Sequence, residues 1–173
     1  MKNKIIFILT LLFFVFCFLV FFKGLKNPNV YIPDEIINKS IIKFEAKDLF
    51  TNKKVNSDQV FTNSKFYVLN IWASWCAPCR REHSLLMEIS KNKSIKLIGL
   101  NYKDSDIKAK KFIDELGNPY SVIITDIKGT ISIELGAYGV PETFIIDKDK
   151  KIIKKIIGPL TSKIINEINL ILK

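Results

Sequence analysis

The chain opens on a hydrophobic run with no polar face. Ile5 to Phe22 is 18 residues long and apolar except for Thr10. As a helix it would extend roughly 27 Å, close to the hydrocarbon thickness of a bilayer. Lys2 and Lys4 precede it, and Lys23 and Lys26 follow it. A removed signal peptide would show small residues at a cleavage site, and Leu19-Val20-Phe21-Phe22-Lys23 has none. Residues 1–26 are therefore expected to remain as a membrane anchor. The amino terminus with Lys2 and Lys4 outweighs Lys23 and Lys26, which Asp34 and Glu35 soon follow, so the N-terminus is expected in the cytoplasm. Residues 27–40 contain Pro28 and Pro33, hold few packed apolar positions, and read as a linker. Cys17 lies within the apolar run and reads as a small hydrophobe. A lipid acceptor would need small residues before it, where Phe14-Val15-Phe16 stand.

From residue 41 the pattern becomes that of a folded domain. Ile41 to Ala46 predicts a short strand, and the polar stretch Lys53 to Asp58 a turn or hairpin. Phe66-Tyr67-Val68-Leu69-Asn70-Ile71-Trp72 is aromatic and β-branched, the signature of a buried strand. Helical spacing follows, with Leu85, Leu86 and Ile89 on one face, and predicts a helix to about Lys91. Ile95 to Asn101 predicts a second buried strand. Asp104 to Leu116 has Ile107, Phe112 and Leu116 at helical spacing, closed by Gly117-Asn118-Pro119. Ser121 to Thr125 predicts a strand and Thr130 to Leu135 a helical turn. Thr143 to Asp147 and Ile152 to Ile157 flank a polar turn and predict a hairpin. Ser162 to Leu172 predicts a closing helix. This order gives an α/β fold over 41–173: a mixed sheet flanked by helices, with one core.

Charge changes this picture little. The net charge is +10, but four of the basic residues flank the apolar run. Without them, 23 basic residues stand against 17 acidic ones, a balance of +6. The lysines are scattered, and no nucleic-acid motif accompanies them, so a solvated basic surface is expected and no nucleic-acid partner.

The chemistry concentrates in one stretch. Trp72 to His83 holds both tryptophans, both arginines, the only histidine and two of the three cysteines. Cys76 and Cys79, spaced Cys-x-x-Cys, fall where a strand turns into a helix, with Pro78 suited to the first helical turn. Free N–H groups and the positive end of the helix dipole favour a thiolate there, and Arg80 and Arg81 add positive charge. The thiolate is the nucleophile of thiol–disulfide exchange, so a redox-active pair is expected. Cys76, nearer the helix end, is expected to be the accessible, lower-pKa thiol. Other readings of the pair are weaker. Haem attachment wants His directly after the second cysteine, where Arg80 stands. A zinc site would have Cys76, Cys79 and His83 but no obvious fourth ligand. A static structural disulfide does not call for the neighbouring Trp75 and Pro78.

These residues resemble the membrane-anchored, thioredoxin-like proteins of bacterial cytochrome c maturation, the DsbE/CcmG family. The likeness is carried by Asn70-Ile71-Trp72-Ala73-Ser74-Trp75-Cys76 with Arg80-Arg81-Glu82-His83, by Gly99 to Asp104, by Leu116 to Tyr120, and by Tyr138-Gly139-Val140-Pro141-Glu142-Thr143-Phe144-Ile145-Ile146-Asp147. It implies a thioredoxin-like fold from about Ile41 to the C-terminus and a redox-active Cys76–Cys79 disulfide with no other cofactor and no metal. It also implies a cis Val140–Pro141 peptide facing the cysteines, leaving the Val140 backbone to pair with an extended substrate segment. Generic thioredoxins carry a buried Asp six residues before the first cysteine; Asn70 stands there. Glu82 and Glu142 are expected to compensate, raising the thiol pKa and making the pair more reducing. The substrate groove would then comprise Trp75, Pro78, Glu82, Val140, Pro141 and Glu142.

The family implies a single-pass protein of the bacterial inner membrane with its catalytic domain in the periplasm. Its partners would be apocytochrome c or haem-lyase thiol proteins, with a membrane thiol-reductant transporter as electron donor. Two alternatives use the same residues: a general periplasmic oxidant or isomerase, and a membrane-anchored metal chaperone built on Cys76, Cys79 and His83.

Overall fold

A computed structural model of the protein describes residues 2–26 and 36–171. The chain divides into two compact units, Met1–Ile32 and Pro33–Lys173. The first contains α1 (Lys2–Lys26), within which Asn3–Lys23 is long and apolar enough to cross a membrane. Its Phe, Leu and Ile side chains from Ile5 to Phe22 are exposed all round the helix.

In the second unit the elements run β1 (Glu45–Asp48), β2 (Lys54–Asn56), α2 (Ser57–Val60), β3 (Phe66–Trp72), α3 (Ala77–Ile89), β4 (Ile95–Tyr102), α4 (Asp106–Leu116), β5 (Val122–Asp126), α5 (Thr130–Glu134), β6 (Glu142–Asp147), β7 (Ile152–Ile157) and α6 (Ser162–Ile171). They form one seven-stranded sheet in the order β2-β1-β5-β4-β3-β6-β7. β3, β4 and β5 are parallel neighbours; the remaining pairings are antiparallel. This is the mixed α/β sheet expected, with β3 near its centre.

Residues alternate across the sheet and build two core layers. Val68 and Trp72 of β3 face α3, α4 and α6, packing with Leu86, Phe112 and Ile165. Leu69 and Ile71 face the other way, toward Phe61, Ile131 and Phe144. Asn70 shares the first face, so the one polar residue in the middle of β3 points beneath the cysteine helix.

Two local expectations change. The strand expected from Ile41 begins at Glu45, because Ile41 and Ile42 instead pack against the second core layer while Ile41 N–H bonds Lys150 O at 2.8 Å. The polar stretch 53–58 divides in two: β2 closes a hairpin with β1, and Asn56 then caps α2 in a reciprocal box with Gln59. Of the expected linker, 27–35 lies outside the described residues. Its remainder is pinned to the domain: Asn38 N–H bonds Ile152 O at 2.8 Å, Ile152 N–H bonds Lys39 O at 3.0 Å, and Ile36 and Ile37 pack on the core.

Candidate active site

The turn from β3 to α3 holds the cysteines. Cys76 is the N-cap of α3, and its Sγ accepts the Cys79 N–H at 3.1 Å. Pro78 occupies the first turn, where an N–H would have no helical partner. A disulfide joins Cys76 and Cys79. Both are buried, Cys76 at 4% exposure and Cys79 at 2%, so the difference in access between them is small. Trp75 beside them is 58% exposed, and its Nε1–H donates to Lys103 O at 3.1 Å.

The approach loop is fixed by a residue that sequence reading left without a role. Asp104 accepts from Ser74 N–H at 2.6 Å, Ser74 Oγ–H at 2.8 Å, Asn101 Nδ2 at 3.1 Å and Ser105 N–H at 2.8 Å. It ties the end of β4 to the residues just before Cys76. Its signal was present in the Asn101-Tyr102-Lys103-Asp104 segment, where Asp reads equally well as a helix start.

Under the cysteine helix lies a buried polar chain. Glu82, three residues after Cys79, shares its helix face. Its Oε1 accepts from Asn70 Nδ2 at 3.0 Å and its Oε2 from Leu160 N–H at 2.6 Å. Asn70 also donates to Thr143 Oγ1 at 3.0 Å and accepts from the Tyr120 hydroxyl at 2.8 Å. Burial pushes the Glu82 carboxyl up, against the Leu160 and Asn70 hydrogen bonds that favour its charged form. The Tyr120 phenol is pushed well above its ordinary value by burial and by the Glu82 charge. Tyr120 stacks on Trp72 at 5.8 Å between centroids, with Gly99 giving both rings room.

Glu142 has a different setting. Thr143 meets Asn70 beneath α3, so its neighbour Glu142 points to the opposite sheet face. Its Oε1 accepts from Tyr138 and Gly139 N–H, and its Oε2 lies 2.9 Å from Lys155 Nζ in an ion-pair contact without hydrogen-bond alignment. The carboxylate thus braces the loop leading to Val140 and Pro141, whose peptide is cis. Val140 is half-buried and Pro141 buried.

His83 is turned into the core. Its Nε2 bonds Gly117 O at 2.9 Å and its ring packs edge-on against Phe112 at 5.2 Å. Burial lowers its pKa, with the Arg80 charge acting the same way and the Gly117 bond opposing. Arg80 is engaged outward, 3.1 Å from Glu115 and 4.8 Å over the Phe112 ring. Among the described residues no group of His, Cys, Asp and Glu is arranged to hold a metal ion.

Comparison with known proteins agrees with this geometry. Residues 38–169 match the family model described as Redoxin. The DsbE thiol:disulfide interchange protein of Vibrio cholerae is 34% identical over 167 residues, 94% of this chain and 90% of the relative. That of Escherichia coli K12 is 33% identical over 171 residues, 96% and 92% of the two chains. The chain belongs to the DsbE family of thiol:disulfide interchange proteins. The fold agrees: the thioredoxin domain of a thiol-disulfide oxidoreductase from Bacteroides vulgatus superposes with a TM-score of 0.67 at 17% identity, over 79% of this chain and 98% of that domain. This chain is a thioredoxin-like thiol-disulfide oxidoreductase, and it carries a disulfide between Cys76 and Cys79.

Proposed function

We propose that this chain is a single-pass, inner-membrane dithiol reductant whose catalytic domain faces the periplasm and serves cytochrome c maturation. Its substrates would be disulfides in apocytochrome c haem sites or in haem-lyase partners. A membrane thiol-reductant transporter would recharge it. The observation that carries the direction of electron flow is the buried Glu82–Asn70 pair beneath the cysteine helix. A carboxylate near the thiols raises their pKa and withholds stabilisation from the reduced form, which makes the couple more reducing. The all-round apolar surface of α1 supports the anchor, because such a surface is stable in hydrocarbon and not in water.

The electron balance is simple. The Cys76 thiolate attacks one sulfur of the substrate disulfide, breaking its S–S bond, releasing the other sulfur as a thiolate and forming a mixed disulfide. The Cys79 thiolate then displaces the substrate thiolate and closes the Cys76–Cys79 disulfide. The substrate gains two electrons and two protons as it becomes a dithiol. The chaperone alternative is less favoured, since Cys76 and Cys79 are joined in a disulfide and His83 is turned into the core, bonded to Gly117 O.

Equilibration with glutathione tests the reading. A potential of roughly −200 to −270 mV is expected, and one near −120 mV would promote the oxidant alternative. In cells, loss of the protein should impair covalent haem attachment, and added reductant should partly restore it.

A further inference from the structure

The loop that carries Val140 and Pro141 is held by a lysine from a different strand. Lys155, on β7, has a fully buried side chain, as has its partner Glu142: 0% and 1% exposed. Its Nζ donates to Gly136 O at 2.7 Å, lies 2.9 Å from Glu142 Oε2, and sits 4.1 Å over the Tyr138 ring. Glu142 returns to the same loop through the Tyr138 and Gly139 N–H groups. These contacts all converge on residues 136–142, the segment that presents the Val140 backbone. None of them reaches the cysteines.

A lysine with a desolvated ammonium is a poor choice for stability alone, since a well-packed apolar side chain in its place is often neutral or better. Its geometric yield is specific. One cation bonds the start of the loop at Gly136 and, through Glu142, fixes the two peptide N–H groups that precede Val140. Tyr138, 53% exposed, covers the ammonium from the outside.

We propose that Lys155 is a positioning residue for substrate binding. Through Gly136 and Glu142 it holds the 136–142 loop so that the Val140 backbone accepts an extended, disulfide-bearing segment. This rests on the reductant reading above and adds the residue that sets its peptide-binding edge.

The test is single-turnover oxidation of the pre-reduced full chain in detergent micelles, by an extended peptide closed by a Cys-x-x-Cys disulfide and by cystamine. For K155M the half-saturating peptide concentration should rise about tenfold with the limiting rate constant within about twofold, and the preference for peptide over cystamine should fall at least about fivefold. K155R, which keeps the cation, should recover most of the preference. E142Q/K155M leaves no unpaired buried charge and keeps an acceptor for the loop N–H groups. It should show an intermediate rise of about threefold, which also serves should K155M not accumulate. Equal losses on both oxidants, or an unchanged peptide half-saturation in the double variant, would overturn the proposal while leaving the reductant reading intact. Wild-type protein that reduces cystamine but not the peptide would overturn both, and that failure is visible before any variant is made.

Discussion

Asn70 Nδ2 donates to Glu82 Oε1 at 3.0 Å, joining the middle of the central strand to the helix that begins at Cys76. One consequence is a pH dependence with a definite sign. Burial raises the Glu82 pKa in the folded chain above its ordinary 4.5. A raised pKa means the folded state binds the proton more tightly than the unfolded one. The associated stability is fully present below 4.5 and is lost as pH rises through the folded value. The unfolding free energy of wild type minus that of E82Q should therefore fall with rising pH across that window. Urea unfolding at a series of pH values checks it, and a flat difference would show that Glu82 titrates normally.

Alkylation separates the two thiols. Cys76 Sγ accepts a helix N-terminal N–H and lies at the dipole's positive end, which favours its thiolate. Brief iodoacetamide treatment of the reduced chain should label Cys76 ahead of Cys79, as read by peptide mass. The near-equal burial of the two makes pKa, rather than access, the deciding quantity. Labelling of Cys79 first would reverse the assigned order of attack and resolution.

The elements around β3 were legible because their hydrophobic periods are long and unbroken, and the Cys76–Cys79 disulfide because few arrangements place Cys-x-x-Cys at a strand–helix turn. Three features were not. Ile41 and Ile42 read as strand because they are β-branched, yet their side chains go to the second core layer and the strand starts at Glu45. Lys154 and Lys155 are adjacent and identical in type, and alternation alone says one faces in without saying which. The structure sends Lys154 to Glu167 at 2.7 Å and buries Lys155 against Glu142. Glu82 and Glu142 both read as acids flanking the thiols from opposite sides, and strand register adds that Glu142 lies on the other sheet face, turned to Lys155.

Asp104 should be expensive to remove. Four donors converge on it, two of them from Ser74. D104A leaves those donors without an acceptor in a mostly buried place, and a loss on the order of 2–3 kcal/mol is expected from urea unfolding. The exchange rate should fall as well, since the Ser74 turn that presents Cys76 loses its brace. A variant as stable and as fast as wild type would mean that water replaces the carboxylate without penalty.

Gly99 should tolerate no side chain. A Cβ there would lie 2.9 Å from Trp72 Nε1 and 3.0 Å from the Tyr120 ring, both packed in the core. G99A should lose about 1–3 kcal/mol. It should also weaken the Tyr120 bond to Asn70, which near-ultraviolet circular dichroism of the aromatic stack would register. An unchanged spectrum and midpoint would indicate that the stack shifts freely.

The two glutamates should differ in their hold on the redox potential. Glu82 lies on the cysteine helix face with its carboxylate buried beside Asn70, where a negative charge would disfavour a neighbouring thiolate. E82Q removes that charge, stabilises the reduced form and should raise the potential by about 20–40 mV, since about 30 mV corresponds to a tenfold change in this two-electron equilibrium. Glu142 points to the other sheet face, and Lys155 lies 2.9 Å from its Oε2. Its field at the cysteines is largely cancelled by that cation, so E142Q should shift the potential by less than E82Q does. The expectation from sequence alone, that both acids raise the thiol pKa, gives a clear upward shift for E142Q as well. Glutathione equilibration of the two variants side by side decides between them. A larger shift in E142Q would show that the loop, and not the buried pair under α3, sets the poise of the disulfide.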